Sequence, residues 1–248
     1  LSYMFRVNYD YNNKYLLTVS GRWDGASQLA EGNKWAFFPS AALGWRLDQE
    51  EFLKDVTWLN QLKFRLGVGV TGNSAIDPYQ TKGAIVSLYY PFGSALAPGY
   101  AASEPLIKDG AVAMANKNLS WEKTTQYNIG LDYSVLNGRI SGVLDFYTSR
   151  TTDLLMAMTI PSLNGYTNTY ANVGKTSNIG VDITLNTVNV KTRDFEWSTS
   201  INAAWQKDKI DELANGKEDD INNNWFIGQA LGVIYGYECG GLWKEEDA

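Results

Sequence analysis

Residues 126–146 read QYNIGLDYSVLNGRISGVLDF, and the spacing within them decides the fold class. Tyr127, Ile129, Leu131, Tyr133 and Val135 face away from Gln126, Asn128, Asp132 and Ser134. After the brief turn at Leu136–Gly138, Ile140, Leu144 and Phe146 alternate in the same way with Arg139, Ser141 and Asp145. The repeat is close to 2, the period of a strand, whereas a helix would repeat near 3.6. Each segment therefore has one apolar face and one polar face.

Outward from this pair the code recurs. Toward the N-terminus it gives Phe5, Val7, Tyr9 and Tyr11; Tyr15, Leu17, Val19 and Trp23; Trp35, Phe37, Ala41, Leu43 and Trp45; and Leu62, Phe64, Leu66, Val68 and Val70. Toward the C-terminus it gives Ile179, Val181, Ile183 and Leu185, then Phe195, Trp197, Ile201 and Trp205. A ninth strand is expected near Leu231–Trp243, and a hairpin around Ala84–Tyr90. Segments about ten residues long have the length of a membrane-crossing strand. The expected class is all-β, an antiparallel transmembrane β-barrel segment, with residues 1–248 forming one partial barrel domain.

Composition narrows the functions open to such a chain. An aromatic content of 13% and 23 glycines among 248 residues suit strands and tight turns. Histidine is absent and Cys239 stands alone, which excludes an internal disulfide, a zinc site built from His or Cys, and a His-dependent triad. A net charge of −6 offers no basic face for nucleic acid, so no such partner is expected. No apolar run approaches the roughly 20 residues of a transmembrane helix. Leu1 opens directly on a strand pattern with no leader before it, so the chain is expected to begin in mid-domain.

A soluble β-sandwich also alternates, with one face in a dry core. Two features favour the membrane. Aromatics gather near the expected strand ends (Tyr11, Tyr15, Trp23, Trp35, Trp45, Tyr133, Phe195, Trp197, Trp205), where amphipathic rings meet lipid headgroups. Connections also alternate in length. Asn12–Asn13, Leu136–Gly138 and Val190–Asp194 are brief and Asp48–Leu59 is intermediate, whereas Gly25–Lys34, Asn73–Ser120, Thr152–Tyr170 and Lys209–Gly228 are long. Outer-membrane barrels sort their connections in this way, with short turns periplasmic and long loops outside. On this pattern Leu131, Ile140, Leu144, Ile183 and Ile201 should face lipid, and Asn128, Asp145, Asp182 and Asn202 the lumen.

Five long strings make the pattern specific: GRWDGAS (21–27), GNKWAFFPSAALGWRL (32–47), EEFLKDVTWLNQLKFRLGVGVTGN (50–73), NKNLSWEKTTQYNIGLDYSVLNGRISGVLDFYTSRTTDLL (116–155) and NVGKTSNIGVDITL (172–185). Their order and spacing resemble the C-terminal part of the barrel of SusC/RagA-like TonB-dependent outer-membrane transporters. The resemblance implies a barrel of roughly 22 strands closed by an N-terminal plug. Plug, TonB-contacting segment and closing strand are expected outside this chain. It further implies active import of oligosaccharides or peptides, a SusD-like surface lipoprotein as lid, a TonB complex acting through the plug region, and surrounding outer-membrane lipid. No cofactor and no enzymatic activity are expected. A passive porin and a soluble sugar-binding or hydrolytic β domain are the alternatives.

The remaining candidates are weighed against plainer roles. Asp24, Asp132, Asp145 and Asp182 could supply a glycosidase pair, but their polar-face spacing suits lumen lining. Asp219, Asp220, Asn222, Asn223 and Asn224 are rich in oxygen yet lack the ligand order of a calcium loop, and read as a solvated turn. Tyr89, Tyr90, Phe92, Tyr100, Trp121, Tyr166 and Trp225 are the candidates for stacking on substrate or contacting a partner, with self-packing of the loops as the alternative.

Overall fold

A computed structural model of the chain describes residues 1–78, 80–82, 85–93, 95–102, 113–161, 163 and 168–237. Its main body is one eight-stranded antiparallel sheet. The strands are β1 (Ser2–Tyr11), β2 (Tyr15–Gly25), β3 (Trp35–Arg46), β4 (Leu59–Asn73), β8 (Glu122–Val135), β9 (Ile140–Thr152), β12 (Lys175–Lys191) and β13 (Glu196–Glu212). Each pairs with its neighbours in that order, so β1 and β13 are the two edges. All eight fall on the segments expected from the alternation.

Five shorter strands lie in the long connections. β5 (Ile85–Phe92) and β6 (Ala95–Ala102) form a separate hairpin, while β7 (Ala113–Met114) joins β10 (Leu155–Thr159) and β11 (Asn168–Asn172) in a small sheet. The β7–β11 pairing is parallel and only two residues long. Two single-turn 3-10 helices, Leu47–Gln49 and Glu51–Leu53, fill the link from β3 to β4. The expected hairpin is therefore present, its described part beginning at Ile85; Ala84 lies outside the described residues. The expected ninth strand is corrected in part, since residues 231–237 run as turn and irregular chain and 238–243 lie outside the described residues. The last long connection also starts later than expected, because β13 continues to Glu212.

The turns explain how neighbouring strands reverse. Asn12 and Asn13 are both left-handed, at φ 54° and 53°, and Lys14 N–H donates to the Tyr11 carbonyl at 3.0 Å. Asparagine tolerates this conformation better than most residues and so closes a tight reversal at little cost. At the β8–β9 turn Leu136, Asn137 and Gly138 are all left-handed.

Register places every apolar set on one face. Leu43 lies opposite Leu66, Leu66 opposite Ile129, Ile129 opposite Phe146, and Phe146 opposite Val181. Because directly opposed residues share a face, the apolar row is continuous across the sheet. Leu131, Leu144 and Ile183 form the next row. Large residues on this face are exposed, among them Tyr9, Leu43, Ile129, Phe146, Ile183 and Ile201. An apolar surface of that extent marks contact with lipid or another protein.

Aromatic rings bound this face at both ends. At the short-turn end Tyr11, Tyr15 and Trp45 stack in series with centroids 6.5 Å apart. At the long-connection end Tyr3 stacks on Trp35 at 6.1 Å and Trp23 meets Phe37 at 5.7 Å. On β13 the apolar positions run from Trp197 to Trp205, and Lys207 and Lys209 follow on the same face. Nine strand residues span about 27–30 Å, close to the height of an outer-membrane barrel's apolar band.

Candidate functional site

The opposite face is polar and carries the chemistry. Asn128, Asp145, Asp182 and Asn202 all lie on it: Asp182 pairs with Asp145, Asn128 with Tyr147 and Thr184 with Asn202. At its centre Arg65 on β4 bridges two acids. Its guanidinium donates through Nε to Asp132 at 2.9 Å and through Nη2 to Asp145 at 3.0 Å. Asn128 also donates to Asp145, at 3.3 Å. Of the four aspartates considered for glycoside cleavage, Asp132 and Asp145 are thus tied to one cation, and Asp24 is held by Arg22 at 2.6 Å and by Ser2. Each of these carboxylates is engaged by a cation in its own strand or a nearby one, which is the arrangement of a structural ion pair. They line the wall.

At the short-turn end Glu50 gathers three donors from different segments: Trp45 Nε1 at 3.0 Å, Tyr15 Oη at 2.8 Å and Lys14 Nζ at 3.3 Å. The bonds from Trp45 and Tyr15, joined by Lys14, hold its carboxyl below the ordinary glutamate value. Nearby, burial opposes ionisation of Asp48, but bonds from Arg46, Gln49 and the Leu62 amide outweigh it and lower its pKa. The aromatic bodies sit on the apolar face while their polar tips are spoken for, as interfacial rings require.

At the long-connection end the polar face is covered by a packed platform. The β3–β4 ladder stops at Ser40 opposite Gly69, although β3 continues to Trp35 and β4 to Asn73. Pro39, with no N–H to give, sits where the ladder ends. Phe38 packs there with Ala26, Leu29 and Trp121. Its ring meets Trp121 edge-on at 5.3 Å, and only Gly72 leaves room for it on β4. Burial of rings and aliphatic chains of this size stabilises by about 1.5–3 kcal/mol each.

Hydrogen bonds then fasten the long connections to one another. Ala30 N–H donates to the Leu119 carbonyl at 3.1 Å, Gln28 to the Ser74 carbonyl at 2.9 Å, and Asn116 N–H to the Gln80 carbonyl at 3.2 Å. Asn172 donates to the Ser120 and Asp153 carbonyls and accepts from Ser120 N–H. Leu29 and Leu119 are buried beneath these bonds.

The aromatic candidates are distributed over several places. Tyr89, Tyr90 and Phe92 lie on β5 and Tyr100 on β6, so four of the seven share one hairpin. Trp225 is half-buried and exchanges two backbone bonds with Asp220. Tyr166 lies outside the described residues. Trp121 is 7% exposed, packs against Phe38 and donates its indole N–H to the Lys34 carbonyl at 3.2 Å, the self-packing weighed as the alternative for these rings. In the oxygen-rich turn, Asp220 bonds Asn223, and Asp219 accepts from Ile227 N–H. Sequence reading missed Arg65 as the bridge and Phe38 as the platform's anchor. The signal for Phe38 was a large apolar residue on the polar register of β3.

The architecture matches a known family over almost its whole length. The model for "TonB dependent receptor-like, beta-barrel" matches residues 2–240. The chain belongs to this TonB-dependent receptor β-barrel family. The TonB-dependent receptor SusC of Bacteroides thetaiotaomicron is 40% identical over 230 residues, covering 89% of this chain and 22% of that protein. TonB-dependent receptor P26 of Formosa agariphila is 34% identical over 255 residues, covering 99% of this chain and 25% of its own length. Among solved structures, the RagAB peptide transporter superposes with a TM-score of 0.79 at 29% identity, over 92% of this chain and 24% of that one. The chain thus spans about a quarter of the length of these relatives.

Proposed function

We propose that this chain is wall and extracellular loop of a SusC/RagA-like outer-membrane transporter that imports oligosaccharides or peptides under TonB drive. The observation that carries the reading is the two-faced sheet, in which aromatics bound an apolar face and an ion-paired polar face lies behind it. Such a sheet suits a wall with lipid on one side and an aqueous lumen on the other. Relatedness to SusC and to the RagAB peptide transporter supports nutrient import as the cargo class. Strands and a plug of the longer protein would close the barrel, the TonB complex would act through that plug, and a SusD-like lipoprotein would cover the long connections.

Substrate and lid contacts are assigned to the β5–β6 hairpin, with Tyr89, Tyr90, Phe92 and Tyr100, and to the loops bearing Tyr166 and Trp225. Uptake of labelled oligosaccharide and peptide by cells carrying the full-length protein tests the reading. Uptake should stop when TonB is inactivated and fall when residues 85–102 are deleted. Uptake that persists without TonB would make the protein a passive porin, and wild-type uptake and lipoprotein retention in the deletion would leave the hairpin a spacer.

A further inference from the structure

Between the β2–β3 connection and the two arms of the β4–β8 connection lies a cleft of about 820 Å³. Among the described residues Lys34, Lys82 and Lys117 line it with Glu31 as the one acid, and Ser27, Gln28 and Thr81 add hydroxyl and amide groups. This gathering runs against the chain's overall charge of −6. Arg22, Arg46 and Arg65 are each spent on carboxylates, whereas none of the three lysines has an ion pair among the described residues. Three exposed lysines around one concave space raise its potential and favour an anionic occupant.

The walls are built. The Lys34 carbonyl accepts from Ala26 N–H at 2.9 Å and from the Trp121 indole, so that lysine's backbone is fixed to the platform. The Asn116–Gln80 bond fastens the segment bearing Lys117 to the segment bearing Lys82. Leu29 and Thr81 are buried, at 1% and 9% exposure.

We infer that this cleft binds an acidic oligosaccharide, one bearing carboxylate or sulfate groups, on its way into the lumen. The inference rests on the import reading above and names its substrate class. Among the described residues that line the cleft none is aromatic, and stacking on a ring is the usual contact for a neutral sugar. Among the described residues its apolar lining is Ala30, Pro78 and the buried Leu29, which offer a peptide's side chains little to bury against. Ammonium groups and hydroxyls remain, and they suit an acidic sugar's anions and hydroxyls.

The test titrates the detergent-purified full-length protein with oligogalacturonate, with a neutral malto-oligosaccharide of equal length and with an oligoglutamate peptide. Oligogalacturonate should bind more tightly than either of the others, and less tightly as salt is raised. Replacing all three lysines (Lys34→Gln, Lys82→Gln, Lys117→Gln) should weaken it about tenfold or more, while the matching triple arginine variant retains it. Undiminished binding by the glutamine variant, a preference for the peptide, or no advantage of the acidic over the neutral sugar would overturn the inference. Binding in detergent does not require TonB, so this result and the uptake result can fail separately.

Discussion

Arg65 and Asp145 meet at 3.0 Å although a whole strand separates them. Arg65 stands on β4, Asp145 on β9, and β8 runs between, presenting Gly130 opposite both. A Cβ at Gly130 would come within 2.7 Å of the guanidinium and 2.5 Å of the Asp145 carboxylate. The missing side chain is the gap through which the cation reaches. Gly130→Val should therefore push Arg65 aside and leave the two acids without their shared cation, costing about 1–3 kcal/mol. Arg65→Met should cost a similar amount, and the double variant little more, because the two act on one contact. Resistance of the full-length barrel to heat unfolding in detergent reads the effect; additive losses would show that Gly130 serves some other purpose.

The platform yields a second prediction. Phe38 and Trp121 fill the interval where β3 and β4 part. Trp121→Ala should destabilise the long-connection end by about 3–5 kcal/mol, the usual cost of emptying a large buried aromatic site. Proteolysis of intact cells would register it as new cleavage within 26–34 or 113–121. Cleavage unchanged from wild type would mean the ring is replaceable.

Legibility in the sequence followed the range of the forces involved. The eight wall strands could be read because each carries its own period-2 pattern, as β8 does in Tyr127, Ile129 and Leu131. The Arg65 bridge could not, since it joins residues 67 and 80 positions away and depends on a register that only pairing sets. The platform was hidden for a related reason: Trp121 reads as an exposed loop aromatic until Phe38, 83 positions before it, is placed against it. The irregular run from Leu231 deceived because short apolar alternation suits coil as well as strand.

Glu50 gives a pH dependence whose sign follows from its depressed pKa. The ionised carboxylate is preferred in the folded chain, so its stabilising effect is present above the ordinary glutamate value and is lost as pH falls through the lower folded value. Asp48, shifted the same way, adds to the loss. Melting temperature measured against pH should fall on acidification, less steeply in Glu50→Gln. Parallel curves for the two proteins would remove Glu50 from the account.

The claim that the polar face is wet and the apolar face meets lipid can be measured residue by residue. Single cysteines would replace Asn128, Asp182 and Asn202 on one face and Leu131, Ile183 and Ile201 on the other, in the full-length protein with Cys239 replaced by serine. In intact outer membranes a small water-soluble maleimide should label the first three, and a lipid-dissolved quencher should reach fluorophores at the second three. Arginine at Leu131 or Ile183 should correspondingly cost about 2–4 kcal/mol, and much less at Asn128. Aqueous labelling of Leu131 and Ile183 in preference to Asn128 and Asp182 would contradict the assignment, because slipping the register by one residue exchanges the two faces.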